Sequence, residues 1–181
     1  MRFNIPIYIT IFRLITIPFF TFSFYIQNKN SSLFSAVIFF LGAITDWFDG
    51  FLARKTKKIT KFGTFLDPVV DKIIVITALT LILEFFHTVW ITIPITLLII
   101  REIIVSALRQ WAAYIGKSKK IKVSFFGKIK TTSQMLSIII LLWNPNYRIQ
   151  IVGIFFLYFT TIIAFFSMMY YFFLIRKDLC K

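Results

Sequence analysis

Six apolar runs, most of them as long as a bilayer is thick, dictate what this chain can become. They cover residues 7–26, 33–53, 63–86, 89–114, 129–143 and 149–175, with short polar breaks between them. A helix of about 20 residues crosses a hydrocarbon layer of about 30 Å. Backbone amides in lipid have no water to bond, which leaves the helix as the spanning form for runs of this length. With 59% hydrophobic residues, 24 of them Phe, the chain carries more apolar surface than a 181-residue globule could hide. The expected architecture is therefore an all-α integral membrane protein of six transmembrane helices, with residues 1–181 forming a single domain. The fifth run is short and opens on Thr131, Thr132, Ser133 and Gln134, so its helix is expected to begin outside the hydrocarbon. Residues 1–5 lack a clear basic region and no small-residue cleavage site precedes Gln27, so the first helix is expected to be retained.

Fifteen of the 21 Lys and Arg residues lie near the two termini or in the breaks around 54–61 and 117–130. Only Lys29 and Arg148 fall in the opposite breaks, while Arg13, Lys72, Arg101 and Arg109 lie within the apolar runs. Cytoplasmic loops carry the excess of Lys and Arg, so both termini are expected in the cytoplasm. The formal charge is +14. These cations cluster between apolar runs instead of lining one surface, so anionic lipid headgroups and phosphorylated substrates are the expected partners, and nucleic acid is not. The lone Cys180 permits no intrachain disulfide.

Only seven residues are acidic, and four of them, Asp46, Asp49, Asp67 and Asp71, fall in one window. A carboxylate in or beside a membrane is costly and is read by default as functional. On a helix Asp46, Asp49, Gly50 and Ala53 share one stripe, at i, i+3, i+4 and i+7, and Gly63, Asp67 and Asp71 share another. Two helices facing along these stripes would converge four hard oxygen donors, and the small residues leave room for a ligand. Crowded carboxylates repel unless cations neutralise them. One or two Mg²⁺ or Mn²⁺ would do so, and a metal pair is a standard device for phosphoryl displacement. Pro68 removes a backbone donor between Asp67 and Asp71. The charge map puts this window at the cytoplasmic ends of helices two and three, where soluble substrates arrive.

A second cluster is basic. Arg101 and Arg109 are eight residues apart on one face of the fourth run, and Lys128 and Lys130 open the fifth. Buried arginines cost several kcal/mol unless they meet anions. Glu102 can satisfy one of them, and the remaining charge suits a phosphate-bearing substrate, since Arg binds phosphate bidentately.

The acidic window, Asp-x2-Asp-Gly-x2-Ala-Arg-x8-Gly-x3-Asp-x3-Asp, resembles the signature of the CDP-alcohol phosphatidyltransferases, and every fixed position is met over residues 46–71. The resemblance implies that Asp46, Asp49 and Asp67 bind two divalent cations, Mg²⁺ or Mn²⁺. Asp71 is then the general base, with a possible metal contact. Gly50, Ala53, Arg54 and Gly63, with Thr10 from the first helix, would contact the CDP moiety of CDP-diacylglycerol. Further blocks, Asn4-Ile5-Pro6 with Thr10 and Arg13, Arg101-Glu102-Ile103-Ile104, Ala107-Leu108-Arg109 and Gly127-Lys128-Ile129-Lys130-Thr131-Thr132, look like the bacterial branch that transfers to glycerol 3-phosphate. Ile7 stands where many relatives carry Asn. The family implies a multi-pass protein of the bacterial inner membrane, with its active site facing the cytoplasm, surrounding lipids as partners, and commonly a homodimer. Two other readings remain at this point. One is a sister enzyme acting on serine, inositol phosphate or a second lipid. The other is a cation transporter, which would hold its acids near the bilayer midplane instead of at one end.

Overall fold

The computed structural model describes residues 5–26, 31–56, 61–116 and 125–179. Six helices account for them: α1 (Ile5–Tyr25), α2 (Ser31–Thr56), α3 (Lys61–Phe86), α4 (Val89–Tyr114), α5 (Phe125–Trp143) and α6 (Tyr147–Leu179). Each of the six apolar runs becomes one helix, and no strand occurs among the described residues. Pro18, Pro68 and Pro94 all sit inside continuous helices. Among the described residues two helices, Val89–Tyr114 and Tyr147–Leu174, are long and apolar enough to cross a membrane. Only 33% and 28% of their most apolar windows are buried, so most of that surface faces outward, as expected of a protein solvated by lipid.

The chain divides into two compact units, Met1–Phe85 with Ile138–Gln150, and Phe86–Ser137 with Ile151–Lys181. In the first, α1 runs antiparallel to α2. The hydroxyls of Ser23 and Ser35 hydrogen-bond at 3.0 Å, and the buried rings of Phe20 and Phe39 meet with centroids 6.0 Å apart. At the far end of α3, Glu84 accepts a hydrogen bond from Tyr25, and Phe85 meets Phe24 edge to face. Such polar and packing contacts hold helices together in lipid, where no hydrophobic force acts between them, at about 0.6 kcal/mol per hydrogen bond.

The second unit is built from α4, the first part of α5 and most of α6. The buried stripe of α6 reads Gly153, Leu157, Thr160, Ala164, Ser167 and Tyr171, small or polar at most positions. Its outward face is apolar too, including Phe155, Phe159, Phe166 and Phe173. The inward face is thus marked by small and polar residues, which let backbones approach and bond across helices. Antiparallel to it, α5 donates from Ser137 to the Gly153 carbonyl at 2.9 Å, and Thr160 donates to Ser133 at 2.7 Å. Ser133, Gln134 and Ser137 are buried. Of the polar opening of the fifth run, Ser133 and Gln134 are therefore turned into the protein, while Thr131 and Thr132 are exposed and donate back to the Lys128 carbonyl at 2.9 and 3.1 Å.

Parallel to α4, α6 meets it at three levels. Tyr158 bonds the Trp90 carbonyl at 2.8 Å, Arg101 reaches Ala164 and Ser167, and Arg109 reaches Tyr171.

Candidate active site

Local geometry supports the acidic window through its helices. α2 runs unbroken to Thr56 and α3 starts at Lys61, so four residues separate the two helices. Gly42 sets how closely the two helices approach. A Cβ added there would stand 3.2 Å from Cδ1 of Ile74, tighter than ordinary contact. One turn on from Gly42, α2 carries Asp46, and one turn before Ile74, α3 carries Asp71. Asp46 lies ten residues before the end of α2 at Thr56, and Asp71 ten after the start of α3 at Lys61. Asp49 lies seven residues before the end of α2 and Asp67 six after the start of α3. Asp46 and Asp49 lie on α2, and Asp67 and Asp71 on α3. Asp71 is half-buried. The side chains of Asp46, Asp49, Gly50, Ala53, Arg54, Gly63, Asp67 and Thr10 lie outside the described residues.

The basic cluster of the second unit sorts into two kinds. Arg101, 7% exposed, donates from Nη2 to Ser167 Oγ at 3.0 Å, from Nε to the Ala164 carbonyl at 3.4 Å and from Nη1 to Glu102 Oε1 at 3.4 Å. Lys130, 2% exposed, pairs with the same oxygen of Glu102. One carboxylate thus ties α4 to α5 and serves two buried cations. Arg109 and Lys128 are exposed. Arg109 donates from Nη2 to the Tyr171 hydroxyl at 3.0 Å, with its guanidinium 5.2 Å from the centroid of that ring. An apolar cavity of about 410 Å³ opens between α4 and α6, lined by Leu97, Leu98, Ala164, Phe165 and Met168, with Arg101 its one charged lining residue. That lining suits hydrocarbon, not a hydrophilic phosphate ester.

The sequence pointed to Arg101, Arg109, Lys128 and Lys130 and to Glu102 as an Arg partner. It did not reveal that Glu102 also holds Lys130, nor the parts of Ser167 and Tyr171. Their signal was the i, i+4, i+7, i+11 stripe Thr160, Ala164, Ser167, Tyr171 in a helix otherwise rich in Phe. Removing one partner of a buried ion pair strands the other charge and costs about 3–5 kcal/mol. Glu102→Gln, which keeps shape but not charge, is therefore expected to lower the melting temperature of the detergent-solubilised protein by several degrees. An unchanged melting curve would mean that Arg101 and Lys130 are neutralised by other groups.

The family model for CDP-alcohol phosphatidyltransferase matches residues 3–174, which include both acidic stripes and the basic cluster. The chain belongs to this family. Among curated relatives, the CDP-diacylglycerol--glycerol-3-phosphate 3-phosphatidyltransferase of Wigglesworthia glossinidia brevipalpis is 57% identical over 162 residues, 90% of this chain and 89% of its own. The proteins of the same name from Haemophilus influenzae and Sodalis glossinidius are 54% and 52% identical, each over 90% of this chain and 88% and 89% of their own. Family membership sets aside the transporter reading.

Proposed function

We infer that this protein transfers the phosphatidyl group from CDP-diacylglycerol to glycerol 3-phosphate, giving phosphatidylglycerophosphate and CMP. The observation that carries this is identity of 52–57% over nine-tenths of the chain to relatives bearing that activity in their name. It is a step of phospholipid biosynthesis. The family match runs through both compact units, which supports one catalytic domain over residues 1–181. All six helices span the bacterial inner membrane in this reading. Both termini lie in the cytoplasm, and the active site lies at the cytoplasmic ends of α2 and α3. The Lys and Arg distribution supports that orientation. The protein works among membrane lipids as a homodimer.

The donor set fits a hard divalent cation: Asp46, Asp49, Asp67 and Asp71, carried on the consecutive helices α2 and α3, offer only carboxylate oxygens. These residues would hold two Mg²⁺ or Mn²⁺, which when bound neutralise charge on the diphosphate and the transferring phosphoryl group. Gly50, Ala53 and Gly63 leave space for the CDP moiety, Arg54 pairs with its phosphate, and Thr10 adds a hydroxyl. Asp71 accepts the proton of the acceptor's primary hydroxyl as that oxygen bonds to the β-phosphorus, and the bond from this phosphorus to the CMP oxygen breaks. Arg101, Arg109, Lys128 and Lys130 receive the acceptor phosphate. Arg109 and Lys128, exposed, touch it, while Arg101 and Lys130 contribute the charge left over against Glu102.

Purified protein given CDP-diacylglycerol, Mg²⁺ and labelled glycerol 3-phosphate is expected to release CMP and label lipid in equal amounts. Turnover with serine or inositol phosphate, but no lipid labelled from glycerol 3-phosphate, would sink the acceptor assignment.

A further inference from the structure

Tyr171 stands out on α6. It is fully buried, at 0% exposure, among Val105, Leu108 and Ala112 of α4. Phe would fill almost the same space, and this helix uses Phe freely at 155, 156, 159, 165, 166, 172 and 173. A buried hydroxyl costs free energy unless it is hydrogen-bonded, so the oxygen of Tyr171 serves something other than packing. Its partner is Arg109, which donates to it at 3.0 Å while the guanidinium lies 5.2 Å from the ring centroid. A hydrogen bond and a cation–π contact from one rigid ring fix both the position and the plane of the guanidinium.

We propose that Tyr171 is a positioning residue of the acceptor site, holding Arg109 ready for the phosphate of glycerol 3-phosphate. This rests on the acceptor role given to Arg109 above. A free arginine forfeits rotamer entropy when a ligand immobilises it, and an arginine already held loses less. Arg101 is the contrast: it is buried with its donors turned to Glu102, Ser167 and Ala164, so it adds charge to the acceptor site without touching the phosphate. Arg109 is exposed yet anchored from behind, as a phosphate-receiving group needs to be. The last helix thereby supplies part of the acceptor site without contributing a ligand of its own.

The test is steady-state kinetics on the full chain in mixed micelles, comparing Tyr171→Phe, Arg109→Gln and the double variant. Tyr171→Phe keeps the ring and loses the charge-assisted bond. It is expected to raise KM for glycerol 3-phosphate about threefold to tenfold, leaving kcat and KM for CDP-diacylglycerol unchanged. In the Arg109→Gln background it is expected to add nothing, because the group it positions is gone. If Arg109→Gln raises the acceptor KM and Tyr171→Phe does not, the proposal fails while the acceptor reading stands. If Arg109→Gln itself leaves that KM unchanged, the acceptor role of Arg109 fails and takes the proposal with it. Equal losses for both substrates would mean that Tyr171 only packs the helices. Should Tyr171→Phe not accumulate in membranes, Arg109→Lys gives a second reading. It keeps the charge but not the planar stack, and the same acceptor-specific rise is expected, an unchanged KM overturning the proposal.

Discussion

Asp71→Asn is expected to insert and fold as the parent does, yet to release CMP about 10²–10⁴ times more slowly, the usual contribution of a positioned general base. Asparagine matches the volume of aspartate and keeps one oxygen, so the half-buried site one turn before Ile74 can accept it without repacking. It cannot accept the proton of the attacking hydroxyl. The measurement is turnover at saturating concentrations of both substrates, normalised to folded protein by a thermal melt. Full activity would remove Asp71 from proton transfer. Recovery of the variant at raised Mg²⁺ would instead assign it to metal binding.

Chelation is expected to abolish turnover, and Mg²⁺ to restore it. In the proposed site Asp46, Asp49, Asp67 and Asp71 meet, and carboxylates so crowded cannot all stay ionised without cations among them. A ligand bound only by the folded state stabilises it by mass action, so chelator is also expected to lower the melting temperature, a readout independent of chemistry. Neutralising two of the acids, as in an Asp46→Asn, Asp49→Asn double variant, is expected to make that melting temperature insensitive to chelator. Undiminished turnover in excess chelator would overturn the assignment of these four residues.

What the sequence disclosed and what it withheld divide along physical lines. Helix positions were legible because apolar runs in lipid have one way to satisfy their backbone, and all six were found. The α5 boundary was not: the helix starts at Phe125, four residues before its apolar run. The acidic stripes could be read from periodicity alone, because Asp46, Asp49, Asp67 and Asp71 stand out against an apolar background. The basic cluster was read more coarsely. Sequence shows that Arg101, Glu102 and Lys130 are charged, not which of them neutralise each other, because pairing across α4 and α5 depends on packing. Tyr171 escaped notice for a related reason: among so many aromatic residues, only burial and a partner distinguish the one with a polar task.

The three-level pairing of α4 with α6 has a consequence for how the protein is made. Arg101 lies within a stretch fit to cross the membrane, and its partners Ala164 and Ser167 are more than 60 residues downstream. At ribosomal speeds of about 5–20 residues per second, roughly 3–13 s pass between synthesis of the arginine and of the helix that receives it. During that interval the charge has its neighbour Glu102 for company, encoded in the next codon. The carboxylate that later serves two cations is thus also the escort available to the first of them while the chain is still emerging.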